Sequence, residues 1–298
     1  MIPVVEVELG ALSHPGLTRP NNEDCFLVAR IERGMTTLMT NVPPGTVPDR
    51  HEVTGHMLLV ADGMGGAAAG EVASRTAISV LIELCLETPD WMMSLDGQHG
   101  QEVLARTEAR FQRIKDVLLD FAKADSSLSG MGTTMTVAGN LGEDLAIAHV
   151  GDSRAYLFRG GQLRRLTRDQ TMAQMLADAG EIAPEDVATH RLRHVLTGAI
   201  TTEKGEVPSE LHILRLVDGD QVLLSTDGLT EMASEQKIVE TLCRAAPAQE
   251  TCRALVDLAL EGGGKDNVTV VLARYRIPRP ARKESQDTLK LRVGAFSR

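Results

Sequence analysis

The chain has 298 residues, 43% of them hydrophobic but only 3% aromatic, and a formal charge of -10. That length and apolar content suffice for one large core or two ordinary ones and exclude wholesale disorder. The acidic balance argues against a generic nucleic-acid or anionic-membrane binder, because both meet phosphate with Lys and Arg; if the chain handles phosphate, positive charge must come from elsewhere, bound metal being one source.

Val4–Leu9 alternates apolar and acidic residues as a half-buried strand does, and Cys25–Ala29 suits a second strand. Between them SHPGLTRPNNED reads as a loop from its Pro, Gly and Asn content. Residues 33–55 hold three prolines and three glycines with weak periodicity, and read as a surface loop inserted between two strands. His56–Ala61 is a short apolar strand, and behind Glu71 the residues Val72, Thr76, Val80, Leu81, Leu84 and Cys85 recur at helical spacing. Gln101–Ala124 predicts a second long helix with one apolar stripe. After Gly130 strands are expected at 133–138, 145–150, 155–158 and 163–166, with short joints that favour antiparallel pairing. A short helix at 171–179 precedes a polar, histidine-bearing segment that runs to Thr197. Strands at 211–214 and 221–225, helices at 235–244 and 250–260, and a last strand at 267–275 follow. Strands and helices come in blocks, which indicates an α+β layered domain with a largely antiparallel sheet core over residues 1–277. The 278–298 stretch is basic and reads as a flexible tail.

Cys25, Cys85, Cys243 and Cys252 form no CxxC or Cys/His cluster and read as small buried hydrophobes in a reducing, cytoplasmic compartment. No signal peptide and no apolar run of membrane-spanning length is visible, so no membrane partner is expected. Without a coiled-coil or edge motif, a monomer is the default expectation.

The stretch LLVADGMGGAAAGE, Leu58 to Glu71, places Asp62 directly after an apolar run. Asp-Gly is a strong hairpin signal, but a hairpin needs a second strand immediately afterwards, and Glu71–Leu86 is helical in pattern instead. A phosphate-cradling loop fits poorly, because neither GxGxxG nor GxxxxGK[ST] spacing is present. The elbow recurs: VLLSTDG places Asp227 before a helical pattern, LAIAHVGDSR places Asp152 after an apolar strand, and GGGKDNVTVV places Asp266 at the mouth of another. Carboxylates at strand ends, with the Gly63 backbone free of a side chain, make a hard oxygen environment suited to Mg²⁺ or Mn²⁺. Arg19, four residues before Glu23, is then a candidate clamp for substrate phosphate.

In order, RPNNED, VADGMGGAAAGE, GMGTT, VGDSRAY, LTRDQT, STDGLTE and GGGKDNVTVV closely resemble the motifs of the bacterial metal-dependent serine/threonine protein phosphatases of type 2C, the PPM family. The likeness runs from about Ser13 to Arg274. It implies a four-layer αββα sandwich, two antiparallel sheets flanked by helices, with a dinuclear Mg²⁺ or Mn²⁺ site in a cleft. By that resemblance Asp62 would bridge two ions. Asp227 and Asp266 would complete the first, and Glu23 and the Gly63 carbonyl would hold the second, with Asp24 acting through water. Asp152 with Asp227 falls where bacterial members bind a third, weaker ion, Glu231 lies near it in the motif, and Arg19 matches the phosphate-holding arginine. The implied reaction is hydrolysis of phosphoserine or phosphothreonine by a metal-bridging hydroxide, on phosphoprotein substrates, in signal transduction opposite a cognate kinase. The alternative is a catalytically silent pseudo-phosphatase that binds a phosphoprotein or kinase. Met64 stands where some members carry an acid histidine, and HRLRHVLTGA, His190 to Ala199, resembles the mobile flap with Arg191, His194 and Gly198 at unusual positions. His190 and His194 are expected to be ordinary flap side chains rather than ligands or acids.

Overall fold

A computed structural model describes residues 5–43, 46–65, 69–87, 100–203 and 205–278. In one sheet β1 (Glu6–His14), β12 (Val268–Arg276), β11 (Gln221–Ser225), β7 (Arg154–Arg159) and β8 (Gln162–Arg165) lie side by side, every pair antiparallel. In the other, β10 (Glu210–Arg215), β6 (Asp144–Val150), β5 (Met135–Leu141), β3 (Arg50–Met64) and β2 (Asp24–Thr36) follow in order. The end of β3 also pairs with β4 (Gly132–Thr133), which pairs with β9 (Ile200–Thr201).

The central strands read as unbroken apolar runs because both faces of each sheet are covered. Along β3, Leu58 and Val60 point into the space between the sheets, where they meet Val222 and Leu224 of β11 and Val271 and Ala273 of β12. Their neighbours Leu59 and Ala61 point the other way, onto Ala73, Ala77 and Leu81 of α1 (Ala69–Glu87) and Phe111, Ile114 and Leu118 of α2 (Gly100–Ala124). In β11 and β12 the alternate residues Leu223, Val270 and Leu272 pack instead on Ile238 and Leu242 of α5 (Glu235–Leu242) and Leu255 and Val256 of α6 (Ala248–Glu261). The period-2 side-chain alternation of a strand thus generates four layers, helix, sheet, sheet and helix, as expected.

Three expectations change. Residues 33–55 are only partly loop: β2 and β3 stay in register out to Thr36↔Arg50, so 33–36 and 50–55 are strand, and Thr37 N–H donates to Asp49 O at 2.9 Å at the base of the connection. Gly34 and Gly55 lie within these strands, and a Cβ on Gly55 would stand 2.4 Å from Asn140 O, so here glycine marks close backbone approach rather than a loop. The first strand extends through Ser13 and His14, into the stretch whose composition predicts a loop. Of the cysteines only Cys252 is fully buried, and Cys243 is exposed. The basic stretch beyond Pro278 lies outside the described residues. No helix among the described residues is long and apolar enough to cross a membrane.

Candidate metal and phosphate site

Antiparallel pairing brings the C-terminal ends of β3 and β11 to the same sheet edges as the N-terminal ends of β2 and β12. Asp24 is the register partner of Asp62, and Ser225 that of Val270, so Glu23, Asp62, Asp227 and Asp266 all emerge at one end of the sandwich. Asp152 joins them from the turn after β6. A cleft of about 1090 Å³ opens there, and Arg19, Glu23, Asp62, Gly63, Asp152, Asp227 and Asp266 all line it.

Backbone contacts hold the floor of this cleft. Glu23 N–H donates to Asn267 Oδ1 at 2.8 Å, and its carbonyl accepts from Gly63 N–H and from the Ser74 hydroxyl. Asn267 in turn donates to the Pro15 and Asn21 carbonyls, pinning the loop that carries Arg19. Asp62 is fixed by the two threonines of GMGTT: its N–H donates to Thr134 Oγ1 at 3.0 Å, and its carbonyl accepts from Thr134 N–H and Thr133 Oγ1, each at 2.9 Å. A Cβ on Gly63 would lie 2.0 Å from Gly70 O, and one on Gly70 would lie 2.8 Å from the Glu23 carboxyl. The two glycines therefore let α1, the end of β3 and the Glu23 side chain press together, a reason additional to backbone access by a cation.

Asp24 does not line the cleft but lies buried behind its wall, where Oδ2 accepts the Thr226 hydroxyl at 2.8 Å and Oδ1 is buried without a hydrogen-bond partner. Thr226 Oγ1 also accepts from Thr269 N–H, so one hydroxyl stitches the two sheets together directly beneath the acidic residues. Asp169 of LTRDQT takes both guanidinium arms of Arg154 of VGDSRAY at 3.0 and 2.7 Å, which braces the turn that bears Asp152.

Burial first, then the charges of Asp24, Asp227, Asp152 and Asp266, holds the Asp62 carboxyl well above the usual carboxylate range. Burial and then Asp152, Glu231, Asp266 and Asp24 do the same to Asp227. Asp24 and Asp152 are each pushed up to about 7, with burial again the first cause. Burial also raises Glu23. Such a cluster is costly as free carboxylates and suits divalent cations, which remove the repulsion and satisfy the spare oxygens, the orphaned Asp24 Oδ1 among them through water. The donors fit Mg²⁺ or Mn²⁺ in kind: all are oxygens.

The carboxylates share the cleft without closing on one point. Among the described residues the only three potential ligand side chains with atoms all within 4.8 Å of one another are His194, Asp227 and Glu231. Arg19 Nη2 sits 2.6 Å from Asp266 Oδ2, so the expected phosphate clamp is engaged with an expected ligand. His190 behaves as expected, its Nδ1 accepting from Leu192 N–H within the rim. His194 does not: it lines the cleft with Nδ1 3.0 Å from Glu231 Oε1.

Over the floor lies a rim of residues 193–203 and 205–208. Thr197 N–H donates to Gln170 O, while Gln170 Oε1 accepts from Gly151 N–H and its Nε2 donates to Pro208 O. A Cβ on Gly198 would stand 1.9 Å from Gln170 Oε1, so any side chain there must displace the Gln170 amide. Lys115, buried on α2, donates to Gly205 O at 2.6 Å and ties down the far side. Sequence reasoning gave no role to Thr134, Thr226, Asn267, Gln170 or Lys115. The first four at least sit inside or beside the recurrent motifs; Lys115 carries no such signal.

The family model described as protein phosphatase 2C matches residues 49–260. The chain is 35% identical over 263 residues to the serine/threonine protein phosphatase PstP of Mycobacterium tuberculosis strain H37Rv, a match covering 88% of this chain but only 44% of that relative, so the chain spans less than half the length of that relative. It is 32% identical over 229 residues to the serine/threonine phosphatase stp of Listeria innocua, covering 77% of this chain and 88% of the relative. Among solved structures it is similar to that of the M. tuberculosis phosphatase PstP/Ppp, with a TM-score of 0.72 and 34% identity over 92% of this chain and 100% of that one. It is similar also to the PstP catalytic domain in complex with two manganese ions, with a TM-score of 0.70 and 33% identity over 92% of this chain and 100% of that one.

Proposed function

This chain belongs to the protein phosphatase 2C family, and on that footing we propose that it is a metal-dependent protein serine/threonine phosphatase, hydrolysing phosphoserine and phosphothreonine by direct attack of water on phosphorus with no phosphoenzyme. The observation that carries the reading is the convergence of Glu23, Asp62, Asp152, Asp227 and Asp266 with Arg19 in one cleft, on five separate segments of the chain. Two Mg²⁺ or Mn²⁺ ions, when bound, supply an activated water and neutralise charge on the phosphoryl oxygens.

Asp62 would bridge the two ions, Asp227 and Asp266 complete one, and Glu23 with the Gly63 carbonyl hold the other, while Asp24 acts from behind through water. Asp152 and Asp227 would take a third, weaker ion. Arg19 is over half exposed, and its guanidinium can turn from Asp266 to a phosphate as Asp266 turns to a cation, giving bidentate hold on two phosphoryl oxygens. Met64 lines the cleft but has no proton to give, so the leaving alkoxide takes its proton from water. Arg193 and Lys265 at the cleft edge add positive charge for an approaching phosphopeptide. The catalytic unit is residues 1–277, with the basic 278–298 stretch outside it, acting as a monomer in cytoplasmic signalling opposite a kinase.

The test is hydrolysis of p-nitrophenyl phosphate and of a phosphothreonine peptide. Release of phosphate that requires added Mn²⁺ or Mg²⁺ and stops in EDTA is expected; no turnover of either substrate with both metals in excess would overturn the reading.

A further inference from the structure

Asp227 opens the single turn of α4 (Asp227–Thr230), and Glu231 closes it, its N–H donating to Asp227 O at 2.9 Å. Four residues apart on a helical turn, the two carboxylates share a face. From the rim, His194 reaches down onto that face with Nδ1 3.0 Å from Glu231 Oε1. The three side chains each offer a ligand atom within 4.8 Å of the other two. Ligands at about 2.1 Å from one tetrahedral ion stand about 3.4 Å apart, so the His194–Glu231 spacing already fits and rotation of the side chains by about an ångström closes the set. This is not an all-oxygen cluster. An imidazole nitrogen favours borderline ions of the Zn²⁺ kind, whereas Mg²⁺ keeps to oxygen and water.

We propose that His194, Asp227 and Glu231 form a binding site for a borderline transition ion such as Zn²⁺, which clasps the rim to the floor of the cleft. The proposal rests on the phosphatase reading only in that Asp227 is shared with the expected Mg²⁺ or Mn²⁺ set; the nitrogen donor sets this site apart from the oxygen pair Asp152 and Asp227. Arg193, whose Nε lies 3.8 Å from the same Glu231 oxygen, is the competing charge at the site. Its guanidinium is 41% exposed and free to swing outward when an ion takes its place.

The experiment uses the full chain in excess Mg²⁺, so that the oxygen sites are filled, with Zn²⁺ titrated by calorimetry and its coordination read by X-ray absorption. Expected are one Zn²⁺ per chain with imidazole among its ligands, affinity weakened at least about tenfold in His194→Ala and in Glu231→Gln, and strengthened in Arg193→Ala. Zn²⁺ also slows tryptic cleavage at Arg191 and Arg193 in the unsubstituted chain. Zinc binding that is unchanged in His194→Ala, that lacks imidazole, or that is absent in Mg²⁺ overturns the proposal. Arg193→Ala keeps the site testable should another variant fold poorly. Failure of the phosphatase reading shows separately, as absence of Mg²⁺- or Mn²⁺-dependent hydrolysis by zinc-free protein.

Discussion

The floor and the rim of the cleft are built on opposite terms. In the floor, Thr134, Thr226 and Asn267 are at most 5% exposed, and each hydrogen-bonds to the main chain of a distant segment, so the acidic residues stand on backbone that strand register dictates. In the rim, His194 and Val195 are each 46% exposed, and the stretch that carries them is tied through Gln170 and Met172, while β9 farther along is paired with β4. The carboxylates thus stand on backbone fixed by strand register, and the exposed 193–198 stretch is the part of the cleft wall that a substitution can shift most easily.

The largest effect expected from breaking the floor is on turnover. Asp227→Asn or Asp62→Asn removes a metal-holding charge and should cost at least about a thousandfold in kcat, of the order of the several kcal/mol that a cation supplies to the transition state. The same change relieves carboxylate repulsion in metal-free protein, so Tm measured in EDTA should stay level or rise. A variant that lost activity together with metal-free stability would mean that these carboxylates are structural.

Next in size is the stitch between the sheets. Thr226→Val leaves Asp24 Oδ2 and Thr269 N–H buried without their partner and should lower unfolding free energy by about 2–3 kcal/mol in denaturant titration. Val195→Ala in the rim should change it by less than about 0.5 kcal/mol. Equal costs at the two positions would erase the contrast.

Sequence legibility divides along the same line. Asp62, Asp152, Asp227 and Asp266 can be found because each follows or precedes an apolar run and stands beside Gly or Asn, a local signal. That they meet is a matter of register between strands far apart in the chain, which periodicity cannot supply and the ordered motifs only imply. The ends of residues 33–55 mislead because Gly34 and Gly55 lie in paired strands, Gly55 against the Asn140 carbonyl, while looking like loop punctuation. His194 reads in sequence as an ordinary flap side chain because its partner Glu231 stands on a segment far along the chain. Gln170 is flagged only by standing in LTRDQT, which does not reveal its ties to Thr197, Gly151 and Pro208, and Lys115 carries no signal at all.

A pH measurement sharpens the account of the floor. The folded-state carboxyls of Asp24 and Asp152 lie at about 7, above their unfolded value, and Asp62 and Asp227 are also raised. A group raised in this way favours folding when protonated, so its stabilisation is complete below the unfolded value near 3.8 and is lost as pH climbs through the folded value. Buried His149 acts with the opposite sign, since burial lowers its folded value and neutral imidazole is favoured as pH rises; it bonds Thr136 and the Arg168 carbonyl rather than the cleft carboxylates, so its contribution should largely cancel in the difference that Mn²⁺ makes. The rise in Tm produced by Mn²⁺ should therefore be larger at pH 8 than at pH 5. A Mn²⁺ shift independent of pH over that range would mean that the acidic cluster is not what the ion relieves.

The smallest expected effect tests the rim. In Gly198→Ala the new methyl meets Gln170 Oε1, and the amide must leave Gly151 N–H to make room, loosening the turn that carries Asp152. Because the displaced atom ends a flexible side chain, the cost to folding should be about 1 kcal/mol or less. The kinetic change should fall on KM for a phosphopeptide, by several-fold, with kcat for p-nitrophenyl phosphate nearly constant, since a small substrate does not touch the rim. Gln170→Ala removes the nearest obstacle together with the tie and leaves Pro208 Cγ, 2.8 Å from the added methyl, so Gly198→Ala should cost less in that background, with a double-mutant coupling of up to about 1 kcal/mol. Strict additivity of the two changes in KM would show that the rim does not hang on Gln170, and would leave its position to the Met172–Val195 bond, the pairing of β9 with β4 and Lys115.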